Sequence, residues 1–177
     1  IIVRADFNMQ SALPDGSAVL GLRPRIPQVP LMLHPRRGFN QVRVGERFES
    51  AMTMTETHIV MGAGLFGDFN RLHVDEPFAK ASRHGGRIAH GYLTSSLIAA
   101  SYGMVFHGTA IAYLEHACRF LKPVRAGDTL TTVWEITDLT PKPKHDGGIV
   151  AMKATCSNQD GETVAEATGT MLVKNAG

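Results

Sequence analysis

The chain has 177 residues, 44% of them hydrophobic and 19% charged, and a net charge of +2 with its eight histidines neutral. That length favours one domain with an appendage, and that composition excludes a disordered chain. So small a charge gives no argument for a nucleic-acid partner, and no apolar run reaches the roughly 20 residues needed to span a bilayer.

Two cysteines, Cys118 and Cys156, lie far apart in alternating apolar stretches, fit no metal motif and read as buried free thiols. The opening IIVRADFNMQ carries both an arginine and an aspartate and is not followed by a signal-peptide core. The expectation is a soluble, cytoplasmic protein, although the chain begins on Ile1 rather than Met.

Residues 1–37 carry five prolines and five arginines with no sustained periodicity. Proline removes amide donors and blocks helix interiors, so the expectation is an irregular N-terminal arm with one short strand at 1–4. A compact domain is expected from 38 to 177. GERFESAMTM at 45–54 reads as a strand. Thr53 and Glu56 have capping-box spacing, which predicts a helix from about 54 to 65. Asp75 is placed to cap a short helix across EPFAKAS. A glycine-rich loop, HGGRIAHG, leads to Gly91. The segment 91–106, GYLTSSLIAASYGMVF, is apolar or small almost all round and predicts a buried helix. The period then becomes two over 109–121, 129–139, 148–157 and 163–174. Turn signals at 125–128, 141–148 and 159–162 separate the last strands. Strands joined this way pair antiparallel. The fold class expected is α+β, one buried helix against a long antiparallel sheet.

Gly62, Gly64 and Gly67 spell G-x-G-x-x-G. A dinucleotide site needs those glycines between a strand and a helix. Here they end a predicted helix, and position 87 is an arginine rather than a ribose-binding acid. The motif reads as helix termination with close packing.

Residues 67–76, GDFNRLHVDE, hold Asp68 and His73 in a predicted loop, where functional groups often sit. A carboxylate and an imidazole that converge on one water can take its proton and redeliver it. The same residues also suit a turn cap and a satisfied polar histidine. His90-Gly91 precedes the long helix, whose first amides lack internal acceptors at the positive end of the dipole. Gly91 has no side chain to obstruct a carbonyl approaching them, though a packing glycine would look the same.

The run FGDFNRLHVDEPFAKASRHGGRIAHGYLTSSLIA (66–99) resembles the MaoC-type dehydratases, the (R)-specific enoyl-CoA hydratases of the hotdog fold. VGERF at 44–48, RFLKPVRAGDTL at 119–130 and the final strand pattern extend the resemblance over about residues 38–174. It implies a single hotdog domain, its central helix wrapped by the sheet. It further implies hydration of a trans-2-enoyl-CoA to the (R)-3-hydroxyacyl-CoA, or the reverse, with no metal or other cofactor. Asp68 and His73 would be the catalytic pair, Asn70 would order the loop, and Gly91 would offer its amide to the thioester carbonyl. The substrate is an acyl-CoA thioester, and the assembly a homodimer or dimer-based homo-oligomer. Two departures stand out. Arg71 replaces the family's proline and either faces solvent or pairs with a CoA phosphate or substrate carboxylate. Ala99 stands where some members carry serine, with Ser95 or Ser96 as possible substitutes. His84 and His90, six apart, fit no common zinc spacing. Lys122 and Arg125 suit either CoA phosphates or a solvated loop. An acyl-CoA thioesterase and a non-catalytic acyl-CoA-binding module are the alternative readings.

Overall fold

A computed structural model describes residues 37–177, so the expected arm and its strand at 1–4 lie outside the described residues. After a 3-10 turn at Phe39–Gln41 come β1 (Arg47–Thr53), α1 (Glu56–Phe66), α2 (Arg71–Val74), α3 (Glu76–Ala81) and α4 (Gly91–Val105). Four strands follow: β2 (Ala110–Phe120), β3 (Thr129–Lys142), β4 (Gly147–Ser157) and β5 (Thr163–Lys174). All pair antiparallel in the order β1-β3-β4-β5-β2. One helix laid against such a sheet is the hotdog arrangement.

The period-two pattern of β3 does the positioning. Leu130, Thr132, Trp134 and Ile136 are each no more than 4% exposed and face α4. Trp134 donates its indole N–H to Ser101 Oγ (2.9 Å) and the Ile98 carbonyl (3.2 Å) on that helix. Tyr102 hydroxyl reaches across to the Val150 carbonyl of β4 at 2.7 Å. Each large amphipathic side chain thus buries its body and satisfies its polar tip, and α4 is pinned at a fixed height above the sheet.

Two expectations need correction. Helix α1 is capped by Thr55, whose side chain accepts from the His58 amide, while Nδ1 of His58 takes the Thr55 amide at 3.0 Å. Thr53 instead ends β1 and pairs its hydroxyl with Thr129. The capping-box spacing was right in length but two residues early. Nor is α4 buried all round in the single chain: Thr94, Ile98, Tyr102 and Val105 form one buried stripe, and Tyr92 is 75% exposed. Sequence pattern reports apolarity, not what covers it, and one sheet covers one side. The literal G-x-G-x-x-G motif does end α1, with Gly67 in the left-handed C-cap conformation (φ 69°) that glycine adopts freely.

Candidate active site

The loop after Gly67 folds by its own short polar side chains. Asp68 Oδ1 accepts from the Asn70 amide at 3.1 Å, and Asn70 Oδ1 caps α2 through the Leu72 amide at 3.0 Å. These local bonds compete well with longer-range structure in aspartate and asparagine. They leave Asp68 Oδ2 free, and α2 turns His73 back toward it. His73 Nε2 stands 3.8 Å from Oδ2. The other ring nitrogen, Nδ1, is 2.8 Å from the Ile88 carbonyl. A carbonyl only accepts, so Nδ1 carries a hydrogen, and in the neutral ring Nε2 presents its lone pair to Asp68. Ile88 also donates its amide to the Leu72 carbonyl, which fixes α2 to the segment that precedes α4. The His73 side chain is 12% exposed and the Asp68 side chain 45%. One partner is shielded and the other open to a ligand.

Helix α4 begins at Gly91 with His90 in the N-cap position, but His90 makes no side-chain cap. Among the described residues no side chain accepts from the first-turn amides. Gly91, His73, Thr94, Phe120 and Val124 line a cavity of about 320 Å³, with Arg83, His84 and Lys122 also on its wall. The Phe120 ring lies against Gly91: a Cβ at that position would stand 2.9 Å from a ring carbon. A second hollow of about 240 Å³, bordered by Ser101, Val105 and Trp134, lies by the later turns of α4, away from this pair.

The other residues singled out from sequence fall as follows. Arg71 spends Nε (2.9 Å) and Nη2 (2.8 Å) on Asp75 and lies 4.2 Å from the Phe78 ring centroid. Its side chain remains 62% exposed. Ser95 Oγ meets His116 Nε2 at 2.9 Å, and Ser96 bonds back to the Tyr92 carbonyl. Arg125 donates to the His84 and Arg87 carbonyls and so clamps the glycine-rich loop; Lys122 pairs with Glu162. Spacing along the chain did not bring out Ile88, Thr94, Phe120 or the ring of His90. Ile88 acts through its backbone and Phe120 arrives from β2, so neither carries a local signal.

Asp68, His73 and His90 could offer one donor atom each within 4.8 Å of one another. The two imidazoles, however, stack with centroids 3.9 Å apart and planes 31° from parallel. In-plane lone pairs on stacked rings run side by side rather than meet, and His90 Nε2 is already engaged by the Asp68 carbonyl at 2.9 Å. The arrangement suits a shared water better than a chelated ion.

Asp75 caps α3 as expected, accepting from the Phe78 amide at 3.0 Å. That amide bond first, and then the Arg71 hydrogen bond, hold its carboxyl below the ordinary 3.8. A folded value below the unfolded one gives stability that is complete above about pH 4 and lost as pH falls through the folded value. In acid the Phe78 amide resonance is expected to shift upfield as α3 loses its cap. Asp75→Asn should lack that transition, as followed by proton–nitrogen correlation spectra.

Fold and loop together define a hotdog domain with an aspartate–histidine pair beside an uncapped helix terminus. Residues 40–158 match the family described as the MaoC like domain, and the chain belongs to that family. It is 34% identical over 139 residues to an (R)-specific enoyl-CoA hydratase of Rhodospirillum rubrum, covering 78% of this chain and 93% of that one. It is 32% identical to a 3-hydroxybutyryl-CoA dehydratase of Methylorubrum extorquens, covering 77% and 82%. Among solved structures it resembles the R-hydratase PhaJ1 of Pseudomonas aeruginosa with a TM-score of 0.70 at 29% identity, covering 80% of this chain and 88% of that chain.

Proposed function

We propose that this chain, through a domain running from residue 38 to 177, adds water to trans-2-enoyl-CoA thioesters to give (R)-3-hydroxyacyl-CoA, and catalyses the reverse dehydration. The observation that carries the reading is the 3.8 Å gap between His73 Nε2 and Asp68 Oδ2 beside the Gly91 amide. Two acceptors at that distance do not bond each other, but one water can donate to both. As its oxygen attacks C3, the pair takes one proton from it and the C2=C3 electrons move into the thioester. The Gly91 amide receives the developing enolate charge, a donor role typically worth about 3–4 kcal/mol. The proton held by the pair then goes to C2, and the net change is one water added. Asn70 holds the loop that presents Asp68. None of these steps calls for a metal or redox group.

Incubation with crotonyl-CoA tests the reading. Loss of the conjugated double bond without release of free thiol is the expected result. Thiol release would instead indicate a thioesterase, and no change with any enoyl-CoA a binding module.

Arg71 is the residue proposed to recognise charge on the substrate, since its exposed guanidinium can exchange Asp75 for a phosphate or carboxylate. Arg71→Ala should raise KM for a substrate bearing a second carboxylate; an unchanged KM across acyl chains and CoA analogues would exclude that role.

A homodimer goes with the proposal. Strand β2 is an edge of the sheet and exposes Ile111, Tyr113, Leu114 and Phe120, whereas β1, the other edge, exposes only Met52 among its large apolar residues. Free apolar edges invite pairing, and two β2 edges side by side would make the sheets continuous. Leu114→Lys should shift the protein toward monomer in sedimentation velocity. Among the described residues no helix is long and apolar enough to cross a membrane, which accords with a proposed cytoplasmic location.

A further inference from the structure

The cleft holds a second histidine that the hydration chemistry leaves without a task. We propose that His90 is a positioning residue for the Asp68–His73 pair: its Nε2–H ties the Asp68 backbone to the start of α4, and its ring face sets the plane of His73. The inference rests on the hydratase reading of this site.

The first observation is where the ring goes. An N-cap side chain ordinarily accepts from an orphan amide of its own helix. His90, 1% exposed, turns away from that duty and places Nε2 2.9 Å from the Asp68 carbonyl, 22 residues back along the chain. The carbonyl can only accept, so Nε2 bears the ring hydrogen. The tether fixes the Asp68 backbone relative to the start of α4, where Gly91 presents its amide.

The second observation is what the ring touches. The His73 ring lies on it at 3.9 Å between centroids, and Phe66 of α1 meets it edge-on at 5.9 Å and 73°. Gly62 passes close enough that a Cβ there would stand 3.4 Å from Nδ1. His90 is thus held by α1 on one side while it holds His73 on the other. His73 has one further anchor, the Ile88 carbonyl, which constrains Nδ1 but leaves the ring free to rock about that bond. The stacked imidazole removes this freedom and keeps Nε2 aimed at Asp68.

The third observation is a cost. Among the described residues His90 Nδ1 is buried without a hydrogen-bond partner, and leaving a buried polar atom unpaired is unfavourable. A phenylalanine would supply the same packing without that cost. What it cannot supply is the hydrogen for the Asp68 carbonyl.

Small misplacements near a reacting centre are expensive: a shift of about 1 Å can lower a rate by about 10²-fold. His90→Phe keeps an aromatic plane against His73 but deletes the tether. It should lower kcat for crotonyl-CoA hydration by about 10- to 100-fold with little change in KM. His90→Gln offers an amide hydrogen to the same carbonyl and should recover part of the loss. In a background already carrying Asp68→Asn and His73→Gln, His90→Phe should cost almost nothing, whereas a merely structural role would cost the same in both backgrounds. Long-range proton–nitrogen spectra of the unsubstituted protein provide a readout independent of any variant's folding, and should show His90 as the Nε2–H tautomer. An Nδ1–H tautomer, or His90→Phe with the full rate, would overturn the inference while leaving the hydratase reading intact. Absence of hydration by the unsubstituted protein would overturn both.

Discussion

Asp68→Asn is expected to lower the rate of crotonyl-CoA hydration by about 10²–10⁴-fold, and His73→Gln to do the same, the range that removal of a general acid–base group commonly costs. The asparagine retains the oxygen that accepts from the Asn70 amide, so the turn into α2 survives. What disappears is the carboxylate that faces His73 Nε2. The two substitutions act on one water and one proton, so the double variant should be little worse than either single one. Thermal unfolding should change little in Asp68→Asn, because that side chain is 45% exposed. Wild-type turnover in both variants would show that the loop is only a capped turn and would sink the assignment.

The second large effect is expected at Gly91. Alanine is a better helix former than glycine by about 1 kcal/mol, and Gly91 is the first residue of α4, so Gly91→Ala should not weaken the helix. Its new methyl would nevertheless meet Phe120 ring carbons at 2.9–3.3 Å and occupy the cavity wall through which a carbonyl reaches the amide. Phe120 is 49% exposed and can swing aside. The expected result is a kcat lower by about 10²-fold or more, as for loss of an oxyanion donor, with the unfolding temperature held or raised. Phe120→Ala in the same chain decides the cause. Recovery would mean that the displaced ring was responsible; continued loss, which is expected, means that the methyl blocks the amide itself. A fully active Gly91→Ala would remove this amide from the mechanism.

These two expectations draw on different kinds of information. The strand pattern was legible because period two reports a half-buried face wherever the sheet lies, and β3 buries the residues that alternate along it. The Asp75 cap was legible because capping is local, set by a side chain and an amide three residues on. Thr55 was missed for a related reason: Thr53 has the same chemistry at the same offset, and only the pairing of Thr53 with Thr129 across β1 and β3 excludes it from the helix. The exposure of Tyr92 and the other flanks of α4 was not legible at all, since a small or apolar helix surface looks alike whether or not a second layer covers it.

At the site, the sequence by itself determined the groups: an aspartate, an asparagine and a histidine within six positions, and a glycine at the head of a long helix. It also determined their local turns, because short polar side chains bond to amides two or three residues away. The tertiary structure alone decided what those groups face. It set the 3.8 Å separation of Asp68 and His73 and the choice of ring nitrogen, through a carbonyl fifteen residues away. It brought Phe120 of β2 against Gly91 and placed His90 beneath His73. These are contacts between segments distant in the chain, fixed by how α4 seats on the sheet, and no spacing in one segment encodes the position of another.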